Sequence, residues 1–131
     1  MTVPSSPSDE RIAELSRAWL DSNPADGGPP YWVEGEKLDW VGRGNFESCW
    51  RFVLRLSEDV ADDDTETIEQ IGVDPLWTLV NYWPDAALEA IEGEAGTHSK
   101  LLQALAVVIP PTDVAGMRIE AILARYGQKR L

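Results

Sequence analysis

Prolines and glycines cut this chain into short segments, and within almost every segment apolar residues recur three or four positions apart. That combination leaves room for short amphipathic helices and little else. Ser6-Pro7-Ser8-Asp9 reads as a helix start, with Ser6 as N-cap, Pro7 at the first helical position and acids in the first turn. Ile12, Leu15, Trp19 and Leu20 then share one face, and Ser22-Asn23-Pro24 stops the helix. Residues 23–30, NPADGGPP, form a loop that is long for a compact domain. A second helix from Trp32 to Val41 is expected to turn Trp32, Leu38 and Val41 inward. Gly42-Arg43-Gly44 ends it and Asn45 caps the next, whose stripe is Phe46, Cys49, Trp50, Val53, Leu54 and Leu56. Glu47 and Arg51 are spaced for an ion pair along that helix.

The units then shorten. Thr65 to Ile71 carries Ile68 and Ile71. Asp74-Pro75 opens a helix bearing Leu76, Leu79, Val80 and Trp83, and Pro84-Asp85 opens another bearing Ala87, Leu88 and Ile91, with Gly96 as its C-cap. Ser99 begins Leu101, Leu102, Leu105 and Val108, stopped by Pro110-Pro111. Thr112 or Asp113 caps the last helix, with Val114, Met117, Ala121 and Ile122 inward and an end at Tyr126-Gly127. No stretch alternates with period two for long. The expected fold is all-α: a single domain of about seven short helices over residues 6–127, in antiparallel pairs stacked side by side in the HEAT manner. A disordered start (residues 1–5) and a basic tail (residues 128–131) flank it.

The length, 131 residues with 44% apolar, suits one globular domain that needs no disulfide or metal to fold. One cysteine excludes a cysteine-built zinc site or an internal disulfide. The longest apolar run, Ala104 to Ile109, is six residues, too short to span a bilayer, and the first residues lack a signal peptide's basic and apolar parts. A cytoplasmic location is expected.

Charge is the sharper constraint. There are 23 acids against 11 bases, a net charge of −12, which opposes a phosphate-binding surface. From Leu56 to Ser99 stand twelve acids and no Lys or Arg, so the whole excess belongs to this middle section. Glu58, Asp59, Asp62, Asp63, Asp64, Glu66 and Glu69 are its densest part. One reading is a solvated face that keeps the protein soluble; the other is a surface that steers and docks a basic partner.

Catalytic motifs are few. Asp62 to Glu66 resembles the start of a calcium loop, but positions 6 and 12 are Thr67 and Val73, where glycine and glutamate are required. His98 beside Ser99 lacks a nucleophile elbow or oxyanion-hole motif and reads as a loop histidine. Cys49 reads as a small buried hydrophobe, and Gly42-Arg43-Gly44 lacks the Lys-Ser/Thr of a phosphate loop. No catalytic residue, cofactor or metal is expected. Of six tryptophans, Trp19, Trp32, Trp50 and Trp83 fit inner faces. Trp40 and Trp77, with Tyr82, fall off their stripes and are the candidate exposed anchors of an interface.

The segment Gly72 to Leu105 (GVDPLWTLVNYW, a short acidic helix, HSKLLQAL), with Trp19, Tyr31-Trp32, Trp50 and Asp74-Pro75-Leu76, resembles a family of small Trp-rich helical bacterial proteins of uncharacterised function. The likeness covers about residues 10–109, departing where Val73-Asp74 separates Gly72 from Pro75. It implies an all-helical fold and no known catalytic residue. In size and charge alone the chain also resembles immunity proteins that neutralise toxins. The expected function is a non-enzymatic acidic protein that occupies a basic protein partner, most concretely an immunity or inhibitor protein against a toxin or nuclease. An anti-CRISPR or DNA-mimic inhibitor of a nucleic-acid-binding effector, a generic helical adaptor and a hydrolase using two carboxylates are the alternatives.

Overall fold

The computed structural model describes residues 7–22 and 29–130. The expected disordered start, Ser6 and most of the 23–30 loop lie outside the described residues. Among the described residues eight α-helices follow one another: α1 (Asp9–Asp21), α2 (Tyr31–Gly42), α3 (Phe46–Asp59), α4 (Thr65–Val73), α5 (Pro75–Tyr82), α6 (Pro84–Glu94), α7 (Ser99–Leu105) and α8 (Asp113–Arg125), with a 3₁₀ turn at Ala95–Thr97. Among the described residues there is no strand. The protein is all-α. The helices group into two compact units, one ending at Asp59 and the other beginning at Val60.

In the first unit α1 packs chiefly on α3, and α2 on α3. The cap of α1 is Ser8 rather than Ser6: its hydroxyl accepts the Arg11 N–H at 3.1 Å, which leaves Pro7 outside the helix. Ile12, Leu15 and Trp19 are buried as their spacing requires. Between α2 and α3 the chain reverses through Gly44, whose φ of 69° is open to glycine at little cost. Asn45 then caps α3 through the Ser48 N–H.

The inward face of α2 is the opposite of the expected one. Val33, Lys37 and Trp40 are buried, while Trp32 and Leu38 are exposed and Val41 is intermediate. Apolar residues lie all round this helix, so periodicity alone does not choose a face. The buried face also carries Lys37 at its centre. The Lys37 stem packs as apolar surface and its ammonium lies 3.0 Å from a Glu34 carboxylate oxygen. Such a stripe looks polar in the sequence although it packs as an apolar one. Trp40 closes it by meeting Phe52 of α3 edge-on, ring centroids 6.0 Å apart.

In the second unit α4 packs most extensively on α7, α5 on α4 and α6, and α6 on α8. The inward residues expected on α4, α6 and α7 are all buried. On α5, Leu76, Leu79 and Val80 are fully buried and Trp83, just beyond its end, is intermediate. Gly72 is what lets α4 approach α7: a Cβ there would overlap the Ala104 carbonyl oxygen and the Val107 side chain. Asp64 caps α4, accepting from the Thr67 N–H at 3.2 Å and its hydroxyl at 2.7 Å, and Thr112 caps α8. Gly96 does not cap α6, which runs on into the 3₁₀ turn instead. Arg130 of the basic tail caps α7, donating to the carbonyls of Leu105 at 3.1 Å and Val108 at 2.6 Å. On α8 only Ile122 of the expected inward residues is buried. Ala115, Ile119, Ile122 and Leu123 are buried, while Val114, Met117 and Ala121 face solvent.

Candidate partner-binding surface

The acidic residues singled out above divide into those committed to structure and those left over. Asp59, at the end of α3, accepts from Arg55 at 2.8 Å and from the buried Ser16 hydroxyl of α1 at 2.9 Å. It locks two helices of the first unit together. The hydrogen bond to Asp59 also raises the Arg55 pKa, as those to Glu36 and then Glu14 raise that of Arg11. Glu58, beside Asp59, is exposed.

In the second unit Asp62 meets Lys100 at 3.1 Å, and the same ammonium donates to the Val60 carbonyl. Together they pin the turn before α4 to the start of α7. Asp64 is spent as a cap. Asp62 and Asp64, the carboxylates at positions 1 and 3 of the calcium-like run, therefore each meet a protein group. Among the described residues no three His, Cys, Asp or Glu side chains gather as a metal site would need. Asp63 and Glu66 are exposed and Glu69 half-buried, and none of the three makes an ion pair among the described residues.

The cation-free stretch of the sequence is not cation-free in space. Asp85 pairs with Arg118 at 3.1 Å and Glu92 lies 4.0 Å from Arg125. The two pairs share one offset, so α6 and α8 run side by side in the same direction. In the first unit Arg51 reaches Asp9 at 2.6 Å and the Pro7 carbonyl at 2.8 Å rather than Glu47. An open groove along α1 and α3, lined by Asp9, Ile12, Arg51, Leu54, Arg55 and Glu58, thus holds arginines already bound to carboxylates.

Of the three aromatic anchors, Trp40 is buried at 5% exposure and belongs to the core of the first unit, for the reason given above. Trp77 and Tyr82, 37% and 59% exposed, stand on α5, which packs on α4. The fold therefore gathers Asp63, Glu66, Glu69, Trp77 and Tyr82 within one unit. Three large apolar side chains missing from the expected interface are among the most exposed: Ile109, Val114 and Met117. Val114 and Met117 belong to the set expected inward on α8, and Ile109 lies just before that helix.

The remaining reactive groups are locally occupied. Burial pushes the Cys49 thiol up to about 11, against the opposing pull of the Lys37 charge. His98 Nδ1 lies 3.2 Å from the Glu94 carbonyl and 3.0 Å from the Thr97 hydroxyl, closing the turn after α6. Among the described residues no helix is long and apolar enough to cross a membrane. Comparison with protein-family models, with characterised proteins and with solved structures returned no match.

Proposed function

We propose that this chain is a non-enzymatic binding protein that occupies a basic surface of another protein. Its most concrete form is an immunity or inhibitor protein that covers the active site of a toxin or nuclease, which must itself be basic to hold a polyanionic substrate. The observation that carries this reading is the set of uncommitted acids in the second unit. Residues 60–131 hold twelve acids against five bases, and Asp63, Glu66 and Glu69 are bound to no cation among the described residues. Trp77 and Tyr82, partly exposed on the adjoining α5, supply aromatic area of the kind that concentrates binding energy. Charge left unpaired raises association rates with a basic partner and is screened by salt.

The test uses the full chain as bait in a lysate of its source, washed at low and at moderate salt, followed by binding kinetics with the protein it retains. The informative variant is D63K/E66K/E69K, because Asp62 and Asp64 hold Lys100 and the α4 cap. The expected result is an association rate lowered by about tenfold at low salt, with its salt dependence flattened. Retention of no basic protein, or kinetics untouched by the triple reversal, overturns the proposal.

A further inference from the structure

Helix α8 is apolar on two faces, and the second unit covers only one of them. Ala115, Ile119, Ile122 and Leu123 are buried, whereas Val114, Met117, Ala121 and Ala124 lie along the outer side at helical spacing. Val114 and Met117 are 68% and 70% exposed. Pro110 rests against Gly116, which brings Ile109, itself 71% exposed, to the N-terminal half of the same helix. Exposed aliphatic side chains scattered singly need no explanation; a contiguous stripe with a polar rim marks an interaction surface.

The rim says what kind of partner fits. Asp113 and Glu120 flank the stripe on α8 and are exposed. Along its other edge α6 presents Asp85, Glu89 and Glu92, with Arg118 and Arg125 reaching across to Asp85 and Glu92. Five acids thus surround the stripe against two arginines, both engaged. Met117 sits at its centre, and an unbranched thioether adapts its shape to the side chain it meets.

We infer that the outer face of α8 is a docking site for a basic amphipathic helix of a protein partner. The partner's apolar residues, three to four positions apart, lie along Val114, Met117 and Ala121, while its lysines or arginines meet Asp85, Glu89, Asp113 and Glu120. A second copy of this chain is the poorer occupant, since it brings the same acidic rim and another net charge of −12. The inference rests on the proposed binding of a basic protein and adds where, and by what kind of segment, the contact is made.

The chain contains two methionines, Met1 and Met117, so methyl-labelled methionine gives a nearly isolated reporter of the site. The probes are two synthetic amphipathic peptides, one of leucine and lysine, the other with every lysine replaced by glutamate. The lysine peptide is expected to move the Met117 signal saturably and the glutamate peptide to leave it in place. Met117→Asp is expected to weaken the lysine peptide by about tenfold, while Met117→Leu retains binding. Val114→Asp, also on the exposed stripe, repeats the test on a second residue. An unmoved Met117 signal, equal binding of both peptides, or binding indifferent to Met117→Asp and Val114→Asp overturns the inference. So does sedimentation of the free protein as a dimer that Met117→Asp dissociates, which assigns the face to a second copy. The two proposals fail separately. A partner sensitive to D63K/E66K/E69K with no peptide response removes the α8 site alone, and peptide docking at Met117 with no basic protein retained removes the functional reading alone.

Discussion

The α1–α3 unit and the α4–α8 unit are both built of short acidic helices on apolar cores, yet they differ in how charged groups meet at the helix joints. In the first, charged side chains cross between helices. Arg11 of α1 donates to Glu36 of α2, Arg51 of α3 reaches Asp9 of α1, and Asp59 of α3 takes the Ser16 hydroxyl of α1. In the second, the joints are apolar: Leu76, Leu79, Val80, Ala87, Leu88, Ile91, Leu101 and Leu105 are fully buried. Its ion pairs sit at the edge, Asp62 and Asp85 being almost wholly exposed. Asp9, Glu36 and Asp59 help to join helices of the first unit, whereas Asp63, Glu66 and Glu69 of the second make no ion pair among the described residues.

The comparison is broken most severely at Gly72. Gly72→Val forces α4 away from the Ala104 backbone and is expected to cost about 3 kcal/mol. Urea unfolding measures the loss, and hydrogen exchange should place it first in α4 and α7. A tolerated valine would mean that the apolar joint is looser than its geometry.

Cys49 offers a smaller effect in the first unit, with a definite sign. Its folded pKa, about 11, stands above the 9.0 of a free thiol because burial disfavours the thiolate. The contribution to stability is therefore complete below about pH 9 and lost as pH rises toward and through 11, amounting to about 2 kcal/mol. Melting temperatures of the protein and of Cys49→Ala between pH 7 and 11 should converge as the pH rises. A constant gap between them would show that the thiol ionises freely.

The smallest effect sharpens the contrast. Arg11→Ala removes a part-buried link between α1 and α2 and is expected to cost about 1 kcal/mol, less at high salt. Arg118→Ala removes an edge pair with an exposed Asp85 and is expected to leave the unfolding midpoint unchanged at any salt. Equal losses from the two would remove the distinction between the units.

Much of this was legible along the chain because it is local. Pro75 and Pro84 open helices where the missing N–H costs nothing, and Asn45 and Thr112 cap their helices as expected, each within three residues of the N–H it satisfies. The stripes of α4, α6 and α7 were equally readable, since each has one apolar face and no rival, whereas on α3 the fully buried Phe52 lies outside the expected stripe and Phe46 and Leu54 are half-buried. Of the residues expected at an interface, Glu58, Asp59, Asp62, Asp63, Asp64, Glu66, Trp77 and Tyr82 are exposed and Glu69 is half-buried, while Trp40 is buried.

What the chain order alone determined about this protein is therefore its helices, most of their ends and the excess of acid. Tertiary structure decided which face of α2 and of α8 is inside, because each helix carries two stripes of comparable apolar area and only the neighbouring helices select between them. It also decided which carboxylates are spare. Lys100, Arg118 and Arg125 lie 33 to 38 positions from Asp62, Asp85 and Glu92 in the sequence, and only folding sets them within 4.0 Å. A charge count along the chain sums over such pairs without seeing them, since the energy of an ion pair depends on distance in space and not on separation in sequence.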